Sequence, residues 1–242
     1  MAGSVRRFFT NIICGCVYNK DKRKHLRVLL NSPVASYLRF IRKNSGEPLR
    51  KVKTFIGYQA RNLLISVNDK YIYKFPLRRS DSNKLTMCEQ RVVSALAPLS
   101  PIYVPPVHVY EHRGQLVRRY EYIDGYQLRQ IPLDIAMANI DTLASQVARF
   151  MYVIGCADPA EIRDLKPTPD DAPGYMYGWT QGDITDNFLV DIRTMRVVAM
   201  IDWEDCRFGD FSQLLTQDRR SPQREFTAAV QREYDKLYNR KK

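Results

Sequence analysis

Residues 181–205, QGDITDNFLVDIRTMRVVAMIDWED, place an acid, a carboxamide four residues later and a second acid after an apolar run: Asp183, Asn187 and Asp202. Those types suit phosphoryl transfer, in which the protein does little covalent chemistry. One carboxylate orients the acceptor hydroxyl, and an Asn and an Asp hold Mg²⁺ on the nucleotide phosphates. FLVDI and VVAMI are short apolar runs of strand type separated by the turn-like RTM. The hairpin expected there carries Asn187 and Asp202 to the same end.

A phosphoryl-transfer site also needs groups that bind the nucleotide. LLISV (63–67) and YIYKF (71–75) are β-rich runs joined by the polar NDK, and the second presents Lys74. From Ser82 onward, Leu85, Cys88, Val92, Val93 and Leu96 fall at helical spacing, Pro98 ends the run, and Glu89 lies on that helix. By itself Glu89 reads as a surface charge; after a strand lysine it reads as the carboxylate that orients the ammonium on the α- and β-phosphates. Gly57 is the lone glycine of TFIGYQARNLLI, and the family resemblance drawn below, to enzymes that use less glycine there, implies that the stretch from Gly57 to Asn62 is the turn over the phosphates. In VRRYEYIDGYQL (117–128), Tyr120 and Tyr122 also fit alternate core positions of a strand.

Taken together, QGDITDNFLVDI, IDWED and the following Gly209–Asp210 resemble the aminoglycoside phosphotransferase and choline kinase family. YEYIDG is similar to the same family's Y-E-Y-I-x-G hinge, which would bring the adenine edge against backbone groups from Glu121 to Ile123. The resemblance implies an α+β, two-lobed protein-kinase-like fold: a small antiparallel five-stranded N-lobe sheet with one helix, then a mainly helical C-lobe. It further implies ATP and Mg²⁺ as cofactors, Asp183 as the catalytic carboxylate that orients the acceptor hydroxyl or accepts its proton, Asn187 and Asp202 as metal ligands, and Lys74, Glu89, Gly57, Glu121 and Ile123 around the nucleotide. Two positions depart from the family pattern. Gln181 stands where the family has His, an exchange that an amide tolerates if the side chain serves to hold the loop by hydrogen bonding, and FSQLL lacks the acid that follows the second Gly-Asp.

Composition bounds the reading. At 242 residues and 45% hydrophobic content the chain suits one medium domain or two small lobes, and no run approaches the roughly 20 apolar residues of a membrane span. Five cysteines (14, 16, 88, 156 and 206) without zinc spacing, and only three histidines, indicate neither a disulfide framework nor a metal cage; a reducing cytoplasm fits.

Charge is concentrated at one end: residues 1–53 hold 13 Lys and Arg against two acids, so nearly all of the net +12 belongs to an arm. Within it Val5, Phe8, Phe9, Ile12, Ile13, Cys16 and Val17 form one apolar helical stripe, followed by NKDKRKHLR. Residues 5–27 thus read either as a helix lying on an anionic membrane or as one docked on the catalytic body with a solvated basic end. Nucleic acid is disfavoured because the aromatics lie on the apolar stripe rather than among the basic residues. The expected layout is an arm at 1–45, an N-lobe at 46–123 and a short C-lobe at 124–242.

The acceptor is less constrained. DIAMANIDTLASQVARFMYVIG reads as one helix with Ile140, Leu143, Val147 and Met151 on a side, followed by a loop rich in Pro, Gly and Asp. Only 32 residues follow Asp210, where the resembling family builds its acceptor pocket from longer helices, so an open acceptor face is expected. Because the arm also resembles the amino-terminal segment of some bacterial surface-polysaccharide biosynthesis proteins, the expected acceptor is a sugar of an envelope polysaccharide or a glycolipid, met at the inner face of the membrane. The alternatives are a small-molecule or aminoglycoside kinase, a compact Ser/Thr protein kinase and a membrane-bound pseudokinase scaffold. IDWED in place of DFG speaks against the protein kinase, and retention of Lys74, Glu89, Asp183, Asn187 and Asp202 against the scaffold.

Overall fold

The computed structural model describes residues 10, 14, 17–57, 60–77, 81–167, 175–216 and 221–240. Two compact units account for the chain, one of residues 1–83 and 109–122, the other of residues 84–108 and 123–242.

The first unit is built on a five-stranded antiparallel sheet of order β1-β2-β3-β5-β4. Its strands are β1 (Val52–Ile56), β2 (Asn62–Val67), β3 (Tyr71–Pro76), β4 (His108–His112) and β5 (Gln115–Glu121). The β2–β3 turn has Asn68 and Asp69 at φ 56° and 49°, and the β4–β5 turn has Arg113 and Gly114 at φ 55° and 75°. Positive φ at both central residues is the type I′ geometry that matches strand twist, which is why Asn, Asp and Gly occur there.

Helices α1 (Lys20–Asn31) and α2 (Val34–Asn44) belong to this unit. The Asn19 side chain accepts from the Lys22 N–H and so caps α1. Tyr37 and Ile41 of α2 join Leu63, Ile65, Val67, Tyr73, Phe75 and Val117 in one apolar cluster, and the Tyr37 ring stacks on Phe75 at 4.1 Å. In α1, Leu29 packs against the same cluster while no residue is buried, so the basic side chains stay in water. The apolar stripe from Val5 to Cys16 lies outside the described residues, Val17 excepted.

The second unit is mainly helical: α3 (Ser82–Leu96, of which residues from 84 onward fall here), α4 (Leu133–Ala138), α5 (Ile140–Gly155), α6 (Gln213–Thr216) and α7 (Gln223–Asn239). Its core is the packing of α5 on α7, with Leu143, Ala144, Val147, Ala148, Met151 and Ile154 buried on one side and Phe226, Ala229, Val230 and Tyr234 on the other. The helix expected to run unbroken through 134–155 is in fact two. Asn139 takes φ −116° and ψ 13°, and its side chain donates to the Ile135 carbonyl. That satisfies a terminal carbonyl locally and ends α4.

Two small ribbons complete this unit: β7 (Phe188–Asp191) with β8 (Arg196–Met200), and β6 (Tyr177–Thr180) with β9 (Arg207–Asp210). Among the described residues no helix is long and apolar enough to cross a membrane.

Candidate active site

The expected hairpin is β7–β8, with Phe188 opposite Met200 and Asp191 opposite Arg196 and a register shift between Leu189 and Val190. Just beyond the ladder the Ile201 N–H donates to the Asn187 carbonyl at 2.8 Å, so Asn187 and Asp202 leave the hairpin at the same end. The Arg193 N–H and the Thr194 hydroxyl bond to the Asp191 carboxylate at the opposite end, closing the turn.

Asp183 comes to this end through the loop between β6 and β7. Gln181, 1% exposed, donates its carboxamide N–H to the carbonyls of Ile201 and Asp202 and accepts the Asp183 N–H at 2.9 Å. One side chain therefore ties the backbone at Asp183 to the backbone at Asp202. The Thr185 hydroxyl donates to Asp183 Oδ1 at 3.0 Å, holding the carboxylate. Gln127 donates to the Asp186 carbonyl at 2.6 Å, and Tyr126 bridges to Val190, so the segment after the expected hinge braces the same loop.

Local backbone geometry requires particular residues here. Gly182 sits at φ +102°, and a Cβ on it would lie 2.3 Å from the Asp205 carbonyl oxygen. Asp202 is held at φ 55°, the left-handed region that Asp and Asn enter at the least cost among non-glycine residues. Backbone in such regions persists only where its surroundings over-determine it. Here the surroundings are Gln181 and the buried Trp203, whose indole N–H donates to the Met200 carbonyl.

Asp183, Asp186, Asp202, Glu204 and Asp205 all lie at the end of the hairpin where the loops meet, whereas Arg193 and Arg196 lie at the β7–β8 turn with Asp191. Among the described residues no group of three or more His, Cys, Asp and Glu could hold a metal by itself. Asn187 and Asp202 instead offer two hard oxygen donors at one hairpin end. That set suits Mg²⁺, which binds one or two side chains and completes its shell with phosphate and water.

The remaining expected residues fall as follows. Lys74 is buried on β3 in the first unit, opposite Leu64 of β2 and Arg118 of β5. Gly57 follows β1 in that unit and closes a turn, accepting from the Ala60 N–H and donating to the Asn62 carbonyl. Glu121 ends β5 and is exposed, and the Tyr122 N–H donates to the Lys70 carbonyl. In the second unit are Ile123, half-buried, and Glu89, 1% exposed. Glu89 is not a surface charge: it sits on the buried stripe of α3 with Thr86, Val92, Val93 and Leu96.

Thr185 and Gln127 did not stand out in the sequence. Thr185 had a signal, a hydroxyl two residues after a loop acid, as in a local side-chain turn. Gln127 had none, since its partner lies 59 residues away.

No protein-family model and no curated protein matches the sequence. Solved structures do match the fold. A GDP complex of a variant aminoglycoside 2′-phosphotransferase-IIIa superposes with a TM-score of 0.65 at 18% identity, over 84% of this chain and 82% of that one. The streptomycin–ATP ternary complex of APH(2″)-IIa gives 0.59 at 13% identity, over 85% and 82%. A macrolide 2′-phosphotransferase of Brachybacterium faecium gives 0.55 at 18% identity, over 83% and 82%. The chain therefore has the protein-kinase-like fold of the aminoglycoside and macrolide phosphotransferases.

Proposed function

We propose that this protein is a nucleoside-triphosphate-dependent phosphotransferase that moves a γ-phosphoryl group to a hydroxyl of a small, cationic acceptor. The observation that carries the reading is the convergence of Asp183, Asn187 and Asp202 at one hairpin end, tied by Gln181. Asp183 orients the acceptor hydroxyl and takes its proton as the oxygen attacks; Thr185 fixes the rotamer in which it does so. Asn187 and Asp202 would hold Mg²⁺, which would supply positive charge to neutralise phosphate oxygens. Lys74, oriented by Glu89, binds the α- and β-phosphates. Gly57 lies in the turn over the phosphates, and Glu121 and Ile123 meet the base.

Two observations favour a small acceptor over an envelope sugar or glycolipid. Of the matching structures, three hold kanamycin, streptomycin or gentamicin and one is named for a macrolide. The acids gathered at the Asp183 end of the hairpin would also attract a positively charged amino sugar. The membrane reading rests on a stripe that lies largely outside the described residues.

The test is an acceptor screen with the full chain, Mg²⁺ and either ATP or GTP. It would compare aminoglycosides, macrolides, neutral sugars and lipid-linked sugars, reading phosphorylated product by mass spectrometry with Asp183→Ala as the control. Product from a soluble amine-bearing acceptor alone supports the proposal. Product confined to lipid-linked sugars would overturn the acceptor class, and nucleotide binding with no product from any acceptor would favour the pseudokinase.

A further inference from the structure

A cavity of about 530 Å³ lies wholly within the first unit, between the α1–α2 corner and the end of β3. Lys24 and Arg27, one turn apart on α1 and both exposed, line it, and no acid does. Among the described residues neither cation has an ion pair, whereas Asp69 and Glu47 of the same unit are taken by Lys51, Lys53 and Lys70.

The inner wall carries Tyr37, which is 6% exposed. Its ring is fixed by the 4.1 Å stack on Phe75, and among the described residues its hydroxyl has no hydrogen-bond partner. A buried hydroxyl in that state is costly, and an acceptor on a ligand relieves the cost. Burial raises the pKa of this phenol against the opposing charge of Arg113, so it keeps its proton and is available as a donor. Pro33, which also lines the cavity, precedes the first turn of α2, where there is neither a side-chain cap nor an acid. That helix end adds positive potential to what Lys24, Arg27 and Tyr37 already provide. Val28, Pro76 and Leu77 supply an apolar wall, and Gln115 a carboxamide.

We propose that this cavity binds a small molecule through a phosphate monoester group. Two cations, a phenol donor and a helix start converge on a dianion with three acceptor oxygens, which uses more of them than a carboxylate can. The volume is that of a site for a small organic molecule, so the ester's organic part lies on Val28, Pro76 and Leu77. The site is separate from the one assigned to the nucleotide. Tyr73 and Phe75 belong to the cluster with Tyr37, so Lys74 between them points to the opposite face of the sheet. The proposal therefore stands or falls independently of the phosphotransferase reading.

The experiment titrates phenyl phosphate into the full chain by calorimetry, without Mg²⁺ or nucleotide, with benzoate as the carboxylate comparison. Sedimentation with phosphatidic acid vesicles runs beside it. Saturable binding of phenyl phosphate, tighter than that of benzoate, is expected. Tyr37→Phe, which keeps the stack, should weaken it about tenfold, and Lys24→Gln combined with Arg27→Gln about a hundredfold, the range of hydrogen bonds to charged groups. Melting temperatures of the free variants should match that of the parent, and Lys74→Met should bind as the parent does. If phenyl phosphate also releases the chain from vesicles, the site takes the phosphate of a lipid headgroup; if the vesicles never sediment the chain, it takes that of a soluble ester. Either result supports the proposal. Absence of phenyl phosphate binding, equal binding of benzoate, unchanged affinity in Tyr37→Phe and the double variant, or loss in Lys74→Met instead, overturns it.

Discussion

The Gln181 carboxamide donates to the main-chain oxygen of Asp202, 21 residues further on, and the same side chain accepts the N–H of Asp183. A single buried amide therefore ties the backbone at the proposed catalytic carboxylate to the backbone at the proposed metal ligand. Removing it leaves two carbonyls and one N–H without this partner. Gln181→Ala should destabilise the chain by about 2–4 kcal/mol, since each such bond contributes about 1 kcal/mol and an unsatisfied buried group costs more. Turnover should fall further than nucleotide affinity, and thermal melts beside steady-state kinetics would show both. Gln181→His supplies one ring donor and one acceptor and should recover most of the loss.

Asp183 and Asp202 should separate chemistry from binding. Asp183→Ala removes the group that orients the acceptor and takes its proton, so turnover should drop by about 10²–10⁴-fold. Nucleotide-induced thermal stabilisation should be unchanged. Asp202→Ala should weaken that stabilisation in the presence of Mg²⁺ and leave the Mg²⁺-free measurement alone. Full activity in either variant would remove the assignment.

Gly182 tests whether the loop tolerates any other path. A methyl group there would meet the Asp205 carbonyl at 2.3 Å and face a positive φ as well. Gly182→Ala should cost about 1–3 kcal/mol from the strained dihedral alone, with the backbone clash adding to it. Gly114→Ala, at φ +75° with nothing within 4 Å, isolates the dihedral term. Chemical denaturation of both variants gives the comparison, and equal losses would contradict the contact.

Cys88 should be the pH-sensitive thiol. Its contact with Cys206, aided by Arg91 and Lys84 and opposed by burial and Glu89, lowers its pKa to about 7, whereas Cys206 is pushed up. The thiolate is the alkylating form. The rate of iodoacetamide labelling at Cys88 should rise through pH 7 and level off above it, while Cys206 stays unlabelled. In Cys206→Ser, whose hydroxyl is a different hydrogen-bond partner, the midpoint should move upward. Peptide mass spectrometry across pH 5–9 reads both sites.

Legibility of the sequence followed the range of the forces involved. The β7–β8 hairpin was readable because it is made of two apolar runs and a short polar turn, all local, although its register shift at Leu189–Val190 was not. The β2–β3 turn was readable for the same reason, with Asn68 and Asp69 supplying the backbone freedom. The β6–β9 ribbon was not, because its pairing of Gly178 with Gly209 depends on α5. A Cβ at Gly178 would stand 2.0 Å from the Gly155 carbonyl, a close approach that no local pattern encodes. Glu89 was placed on the correct helix, but its burial was not evident, since the inward stripe of α3 runs through Thr86 and Glu89 rather than Leu85 and Cys88. The break at Asn139 was missed because apolar spacing continues across it, and only the side-chain bond to Ile135 reveals it.

The stacking of Tyr37 on Phe75 has a practical outcome for anyone trimming this protein. Composition invites a cut near residue 45, where basic sequence gives way to strands. Such a cut would strip α2 from the sheet and leave Leu63 of β2, and Tyr73 and Phe75 of β3, the strand that also carries Lys74, facing water. A shortened chain would then be lost to aggregation before its chemistry could be assayed, and its inactivity would be mistaken for evidence that the charged segment takes part in the reaction.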